Sequence, residues 1–185
     1  MPVIRIPTDN VAEGDRLIRY QDEQGRERTV PLLRLQVNVL IGRDPTRGSP
    51  DERKPRRAIL DTGAPLTVFP KHRWQSFADE IVRLPLVGDQ NPIGRAGGRQ
   101  FSYFLGRVWV GAVDPFERRL PAVPVLAQFR EDDIPAGEPL PPILLGLWGG
   151  ILEGRTLTRW PTVERYDPDM PTLESFGQWW HLSDP

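Results

Sequence analysis

Cysteine is absent from the 185 residues of this chain. Its absence excludes disulfides and thiolate metal ligands, and the redox compartment leaves no trace in the composition. Histidine is almost as scarce: His72 and His181 are the only two, and they stand far apart. A serine–histidine hydrolase or a histidine-rich metal centre is therefore poorly supplied. Charge of one sign is lacking as well, with 24 basic against 25 acidic residues and a net charge of −1. No general attraction draws such a chain to nucleic acid or to an anionic membrane. Long apolar runs are missing; the longest, Leu140–Leu152, is broken by two prolines and three glycines and is too short to span a bilayer. The opening stretch MPVIRIPTDN lacks the basic-then-apolar pattern of a secretory leader. The expectation is a cytoplasmic chain with no membrane partner, no nucleic-acid partner, no metal and no cofactor.

Proline and glycine, at 21 and 17 residues, are plentiful. They disfavour long helices, and the short apolar segments between them read as strands. One domain of this length can bury a core of reasonable size. Val3–Ile6 is a strand candidate. Leu17–Tyr20 and Thr29–Val39 flank the polar stretch Gln21–Arg28 and suggest a hairpin, with Leu33, Leu35, Val37 and Val39 alternating at the period of a half-buried strand. Arg43–Arg57 is a polar loop with six basic and three acidic residues and no aromatic side chain to stack a base. Trp74, Phe77, Ala78 and Ile81 fall at i, i+3, i+4 and i+7, which predicts a short amphipathic helix with Trp74 in the core and His72 at the surface. Ile81–Val87 and Phe101–Val110 are strands either side of Gly88–Gln100. Leu120–Phe129 is an apolar strand whose prolines, Pro121 and Pro124, predict a sheet edge. Arg130–Pro142 is an acidic, proline-rich loop of charge opposite to Arg43–Arg57. Ile143–Leu145 reads as a buried strand, Leu147–Leu152 as a turn of helix, and Thr156–Trp160 as a strand. The tail, with Phe176, Trp179 and Trp180, reads as a final strand docking on the sheet.

The stretch that carries chemistry is Ala58–Pro70, AILDTGAPLTVFP. Ile59 and Leu60 lead into Asp61-Thr62-Gly63, and Leu66, Val68 and Phe69 follow before Pro70 ends the run. This pattern is strand, tight turn, strand, with a carboxylate where the first strand ends. An acid set in an apolar run is costly unless something pairs with it, and Gly63 lets another backbone or a ligand approach.

ILDTGAPLTVFP resembles the active-site segment of the retropepsin-like aspartic peptidases, the single-domain relatives of pepsin. Downstream, Pro142-Ile143-Leu144-Leu145-Gly146-Leu147 resembles that family's second signature, a hydrophobic pair followed by glycine. Between them, Ile93-Gly94-Arg95-Ala96-Gly97-Gly98 lies where the family carries its flap. The resemblance covers about Leu32 to Leu157. It implies an all-β fold, a closed acid-protease barrel with a flap hairpin and one or two short helices. It divides the chain into an N-terminal extension, residues 1–30, either a pro-segment or extra strands, and a peptidase domain, residues 31–185.

The activity implied is peptide hydrolysis by water held between two carboxylates that share one proton, because both cannot ionise cheaply at short range. This chain has a single DTG and no second DTG or DSG. A homodimer with Asp61 and its copy on a twofold axis is what the resemblance requires, and an isologous interface permits it. Thr62 would hydrogen-bond to the opposite loop, Gly63 would give space beside the carboxylate, and Ala64 would keep the cleft floor small. Leu144, Leu145 and Gly146 would pack behind the loop. Ile93, Gly94, Arg95, Ala96, Gly97 and Gly98 would close over an extended protein or peptide substrate. The chain departs from the viral pattern at two places: Pro65 follows DTGA, and Leu147-Trp148 stands where a charged residue ties the viral dimer together. Dimerisation then rests on apolar contact or on the tail. A second reading keeps the fold as a dimerisation or peptide-binding module without turnover. A third, aspartate in phosphate chemistry, lacks the second acid or glycine-rich phosphate loop it needs.

Overall fold

A computed structural model describes residues 3–6, 8–11, 17–42, 55–61, 63–87, 92–96, 99–153, 155–159 and 180–183. The described strands are β1 (Val3–Ile6), β2 (Thr8–Val11), β3 (Leu17–Gln21), β4 (Glu27–Gly42), β5 (Arg56–Leu60), β6 (Thr67–Phe69), β7 (Val82–Leu84), β8 (Ile93–Ala96), β9 (Arg99–Val113), β10 (Arg119–Arg130), β11 (Ile143–Leu145), β12 (Thr156–Arg159) and β13 (Trp180–Ser183). One helical turn, α1 (Lys71–Trp74), runs into a 3-10 segment, Gln75–Glu80. No described helix is long and apolar enough to cross a membrane.

Six strands close a barrel. Neighbours run β4-β5-β11-β6-β10-β9, and β9 returns to β4 through a register from Asn38↔Val113 to Gly42↔Trp109. Closure removes the free edges that an open sheet would leave. The alternation in β4 holds: Val37, Val39 and Ile41 point into the core while Gln36, Asn38 and Leu40 are partly exposed. The hairpin between β3 and β4 forms as its polar turn predicts, from Leu17↔Pro31 to Gln21↔Glu27. Its turn uses Gly25 at φ 72° and the Asp22 carboxylate, which accepts from the Gln24 and Arg26 amides at 3.0 Å each.

The register also aligns three phenylalanines on adjacent strands: Phe69 of β6, Phe129 of β10 and Phe104 of β9. Their rings stack at 5.1 Å on either side of Phe129, and Trp74 meets Phe104 edge-on at 5.4 Å. Trp74 Nε1 donates to the Arg130 carbonyl at 2.7 Å, so the helical turn is tied to the end of β10. This aromatic cluster fixes the strand that leads away from the Asp61 turn.

Several expectations change. Trp74 and Phe77 are buried and Ile81 packs on the core, but Ala78 is exposed. The regular helix stops after Trp74 because Phe77 leaves helical geometry (φ −137°, ψ 27°) to reach the core. Strand β7 is shorter than Ile81–Val87. His72 is partly buried, and both its ring nitrogens, with Nε of Arg73, are buried without a described hydrogen-bond partner. Strand β10 is not an edge, for β9 and β6 flank it. The sequence logic survives locally: Pro121 and Pro124 precede the stretch Ala127–Phe129 that pairs with β6, and the register shifts between Leu120 and Val123. The acidic loop pairs with other bases, Lys71 to Asp133 at 2.8 Å, Arg83 to Glu131 at 4.0 Å, and Arg130 to Asp132. Most of the basic stretch Arg43–Arg57 lies outside the described residues.

The final strand, Trp180–Ser183, pairs in a second sheet ordered β1-β13-β12, while Phe176 and Trp179 lie outside the described residues. Leu182 of β13 and Ile4 and Ile6 of β1 are all in the main core cluster. Part of the 1–30 segment is thus packed with the barrel.

Candidate active site

Strand β5 buries Ala58 and Leu60 between β4 and β11 and delivers Asp61 at its end. Six residues later the chain returns as β6. Strand β11 fills the gap between the two arms of this turn, parallel to β5 (Ile143↔Ala58, Leu145↔Leu60) and antiparallel to β6 (Leu144↔Val68). Leu144 and Leu145 therefore back the Asp61 turn directly, with Leu145 fully buried.

Hydrogen bonds fix the turn itself. The Asp61 amide donates to the Leu145 carbonyl at 3.0 Å, extending the β5–β11 ladder by one residue. The Ala64 amide donates to the Asp61 carbonyl at 3.1 Å, and the Gly63 amide donates to Asp61 Oδ1 at 2.9 Å. One carboxylate oxygen is thereby held by the backbone two residues on, an arrangement aspartate favours in tight turns. The side chain is neither buried nor fully exposed, and its second oxygen has no described hydrogen bond. Thr62 lies outside the described residues.

The segment after β11 grips the same turn from behind. The Leu147 amide donates to the Ala64 carbonyl at 3.1 Å and the Trp148 amide to the Pro65 carbonyl at 2.8 Å. Thr67 is completely buried, and its hydroxyl accepts from the Gly146 amide at 3.3 Å. Gly146 must be glycine, since a Cβ there would lie 2.5 Å from the Leu66 carbonyl oxygen and 2.8 Å from Leu66 Cα. Gly149, at φ 57°, then bends the chain so that its carbonyl accepts from the Leu126 amide at 2.6 Å. Leu147–Gly150 is consequently a series of bends, and only the end of the expected helical turn forms, where the Glu153 amide donates to the Gly150 carbonyl at 3.1 Å. The backbone carbonyls and amides that a helix would use are spent on the Asp61 turn and on β10.

No protein-family model matches this chain, and no curated protein does.

The geometry therefore has to carry the chemistry alone. Among the described residues no group of three or more histidines, aspartates and glutamates is placed to hold a metal ion. The described site is a partly exposed carboxylate on two hydrogen-bonded loops. A single carboxylate can accept a proton or a hydrogen bond; the division of labour between acid and base needs a second group.

The candidate flap residues sit on a hairpin of their own. Strand β8 pairs with the start of β9 from Ile93↔Ser102 to Ala96↔Arg99. Ile93 and Arg95 are exposed, Gly94 is buried, the Ala96 side chain is not described, and Gly97 and Gly98 lie outside the described residues. Gly94 is a seat rather than a hinge: a Cβ there would lie 2.5 Å from Phe101 Cε2. Phe101 is buried on it, under the Arg130 guanidinium at 4.5 Å. At the start of β9, Phe101 and Phe104 are both packed within the chain. Among the described hydrogen bonds none joins this hairpin to residues 61–66.

The structure thus brings Asp61, Gly63 and Ala64 together with Leu144, Leu145 and Gly146, and leaves Ile93, Gly94 and Arg95 on a separate hairpin. Sequence reasoning missed Thr67. Its signal was a hydroxyl at an inward position of the apolar run Leu66–Phe69, which demands a buried partner.

Proposed function

We propose that this protein is an aspartic endopeptidase of the retropepsin-like type, acting as a homodimer with one Asp61 from each copy in a shared site. The observation that carries the reading is the accessible Asp61 carboxylate, presented by a tight turn that Leu145, Gly146, Leu147 and Trp148 brace through the backbone. Rigid presentation matters because hydrolysis of a peptide bond depends on holding water, acid and carbonyl within hydrogen-bond reach.

In the proposed site the two carboxylates share one proton, since repulsion at short range prevents both from ionising. The ionised member takes a proton from the bound water as its oxygen attacks the scissile carbonyl carbon. The neutral member donates its proton to the developing oxyanion. Collapse of the tetrahedral intermediate breaks the C–N bond, and the amine leaves with a proton returned by the pair. Thr62 would link the two turns across the axis, Gly63 and Ala64 would keep the floor small, and Ile93–Gly98 would cover an extended peptide as an added strand.

A second reading, a peptide-binding or dimerisation module without turnover, draws on Gly94, which seats the Phe101 ring rather than serving as a hinge of the β8–β9 hairpin. Cleavage of a denatured protein at mildly acidic pH separates the two. Wild-type chain is expected to cut it, and Asp61→Asn to lose at least about a thousandfold in rate, the scale of removing a general acid–base group. Equal cleavage by the variant would refute the peptidase reading.

A further inference from the structure

Arg130, the last residue of β10, keeps a side chain only 14% exposed. An arginine so far removed from water needs an opposite charge and a close contact to hold it there. Asp132 supplies the charge. Nε of Arg130 donates to its Oδ1 at 3.1 Å and Nη2 donates to its Oδ2, a two-point grip that fixes the plane of the guanidinium. The contact is the Phe101 ring, whose centroid lies 4.5 Å from the guanidinium carbon. Phe101 stands directly opposite Gly94 in the β8–β9 register, and a Cβ at Gly94 would collide with its Cζ. The outer edge of the ring therefore meets the Gly94 backbone while a fixed cation lies over its face.

We propose that Arg130 is a positioning residue for the β8–β9 hairpin: acting through Phe101, it fastens the hairpin to the end of β10 as one stiff arm. Backbone bonds hold the root of that arm. The Glu131 amide donates to the Ser102 carbonyl at 3.0 Å, and the Tyr103 amide to the Pro92 carbonyl at 3.3 Å. The Arg130 carbonyl itself accepts from the Trp74 indole at 2.7 Å, so the anchor is tied to α1 and to the aromatic cluster. The Arg130–Phe101 contact carries the hold farther out, to the facing pair Gly94 and Phe101. A lysine could not replace it, because an ammonium offers no planar fork to grip Asp132 and lie flat on a ring. The fastening stands on these contacts alone. Its consequence for cleavage rests on the reading of the hairpin as the cover of an extended peptide, whose angle Arg130 would set without touching substrate.

The test is hydrogen exchange of the full chain at the amides of Ile93–Ala96 and Phe101, for the wild type, Arg130→Met and Asp132→Asn, with circular dichroism to establish folding. Arg130→Met keeps the apolar stem and removes the cation. Asp132→Asn leaves Arg130 in place and removes the charge that aims it. Exchange in the hairpin is expected to rise on the order of tenfold in Arg130→Met and by less in Asp132→Asn. The amides of Val108 and Val125, paired inside the barrel, should keep their wild-type rates. Hairpin exchange equal to wild type in a folded Arg130→Met overturns the inference. An equal rise at Val108 and Val125 also overturns it, because Arg130 would then be a general stabiliser. If Arg130→Met does not fold, the same two criteria applied to Asp132→Asn decide. With a cleavable peptide, KM should rise severalfold in both variants at nearly constant kcat, as for a contact made alike with bound substrate and transition state. A fall in kcat at constant KM overturns the positioning role. A wild-type chain that cuts nothing refutes the peptidase reading and leaves the exchange rates to decide this inference.

Discussion

Replacing Gly146 by alanine tests whether the two loops really form one platform. The added Cβ would sit 2.5 Å from the Leu66 carbonyl oxygen, whereas ordinary contact begins near 3.4 Å. The obstacle is backbone on both sides, so no rotamer change relieves it; Leu66 has to retreat by roughly an ångström. Overpacking of this kind costs about 1–3 kcal/mol. The retreat also stretches the two bonds from the Leu147 and Trp148 amides to Ala64 and Pro65, at roughly 1 kcal/mol each. The sum, about 3–5 kcal/mol, is a large part of the ~5–15 kcal/mol that holds a typical domain together. At ~2–4 °C per kcal/mol for a chain of this size, Tm should fall by roughly 6–20 °C. Thermal unfolding followed by far-UV circular dichroism reads the shift, and hydrogen exchange at the Leu147 and Trp148 amides reads its location. Gly111→Ala is the control, because its Cβ would find no atom nearer than 3.4 Å. If Gly146→Ala melts within about 2 °C of wild type with both amides still protected, the account of the platform is wrong.

Two further perturbations follow from the core around the site. Trp74→Phe removes the indole donor to the Arg130 carbonyl. It should lower stability by about 1–3 kcal/mol, read as a shift in urea midpoint, and an unchanged midpoint would deny that bond any weight. Burial, and after it the Arg73 charge, hold the His72 imidazole below its usual pKa of 6.5. The unfolded chain therefore takes up a proton near pH 6.5 that the folded chain accepts only at lower pH. Stability falls as pH drops below that value, through the depressed folded pKa. His72→Gln should make the loss between pH 7.5 and pH 5.5 shallower, and identical slopes for variant and wild type would contradict this assignment.

The barrel strands were legible where alternation or continuous apolarity was strong, as in β4, β9 and β11. The Asp61 turn was legible because an acid and a glycine end an apolar run that resumes after six residues. Two features escaped for a common reason. The route of β10 through the interior depends on which residues of a proline-bearing strand face β6, and that is decided by pairing across some sixty positions of sequence. The bends after Gly146 arise because those amides are claimed by Ala64 and Pro65, residues about eighty positions earlier. Local propensity carries no record of such claims. His72 escaped in the same way: a helical repeat gave it a solvated face, but Phe77 leaves the helix and changes what surrounds the turn.

Whether each site contains two copies of Asp61 can be asked most directly by mixing chains. Wild type and Asp61→Asn are combined in equal amounts, allowed to exchange subunits, and assayed for cleavage per total chain. If a site needs both carboxylates, only the all-wild-type dimers cut, and activity settles at about one quarter of the pure wild type. An activity of about one half, unchanged by exchange, would mean that one Asp61 suffices and that the two-copy site does not exist.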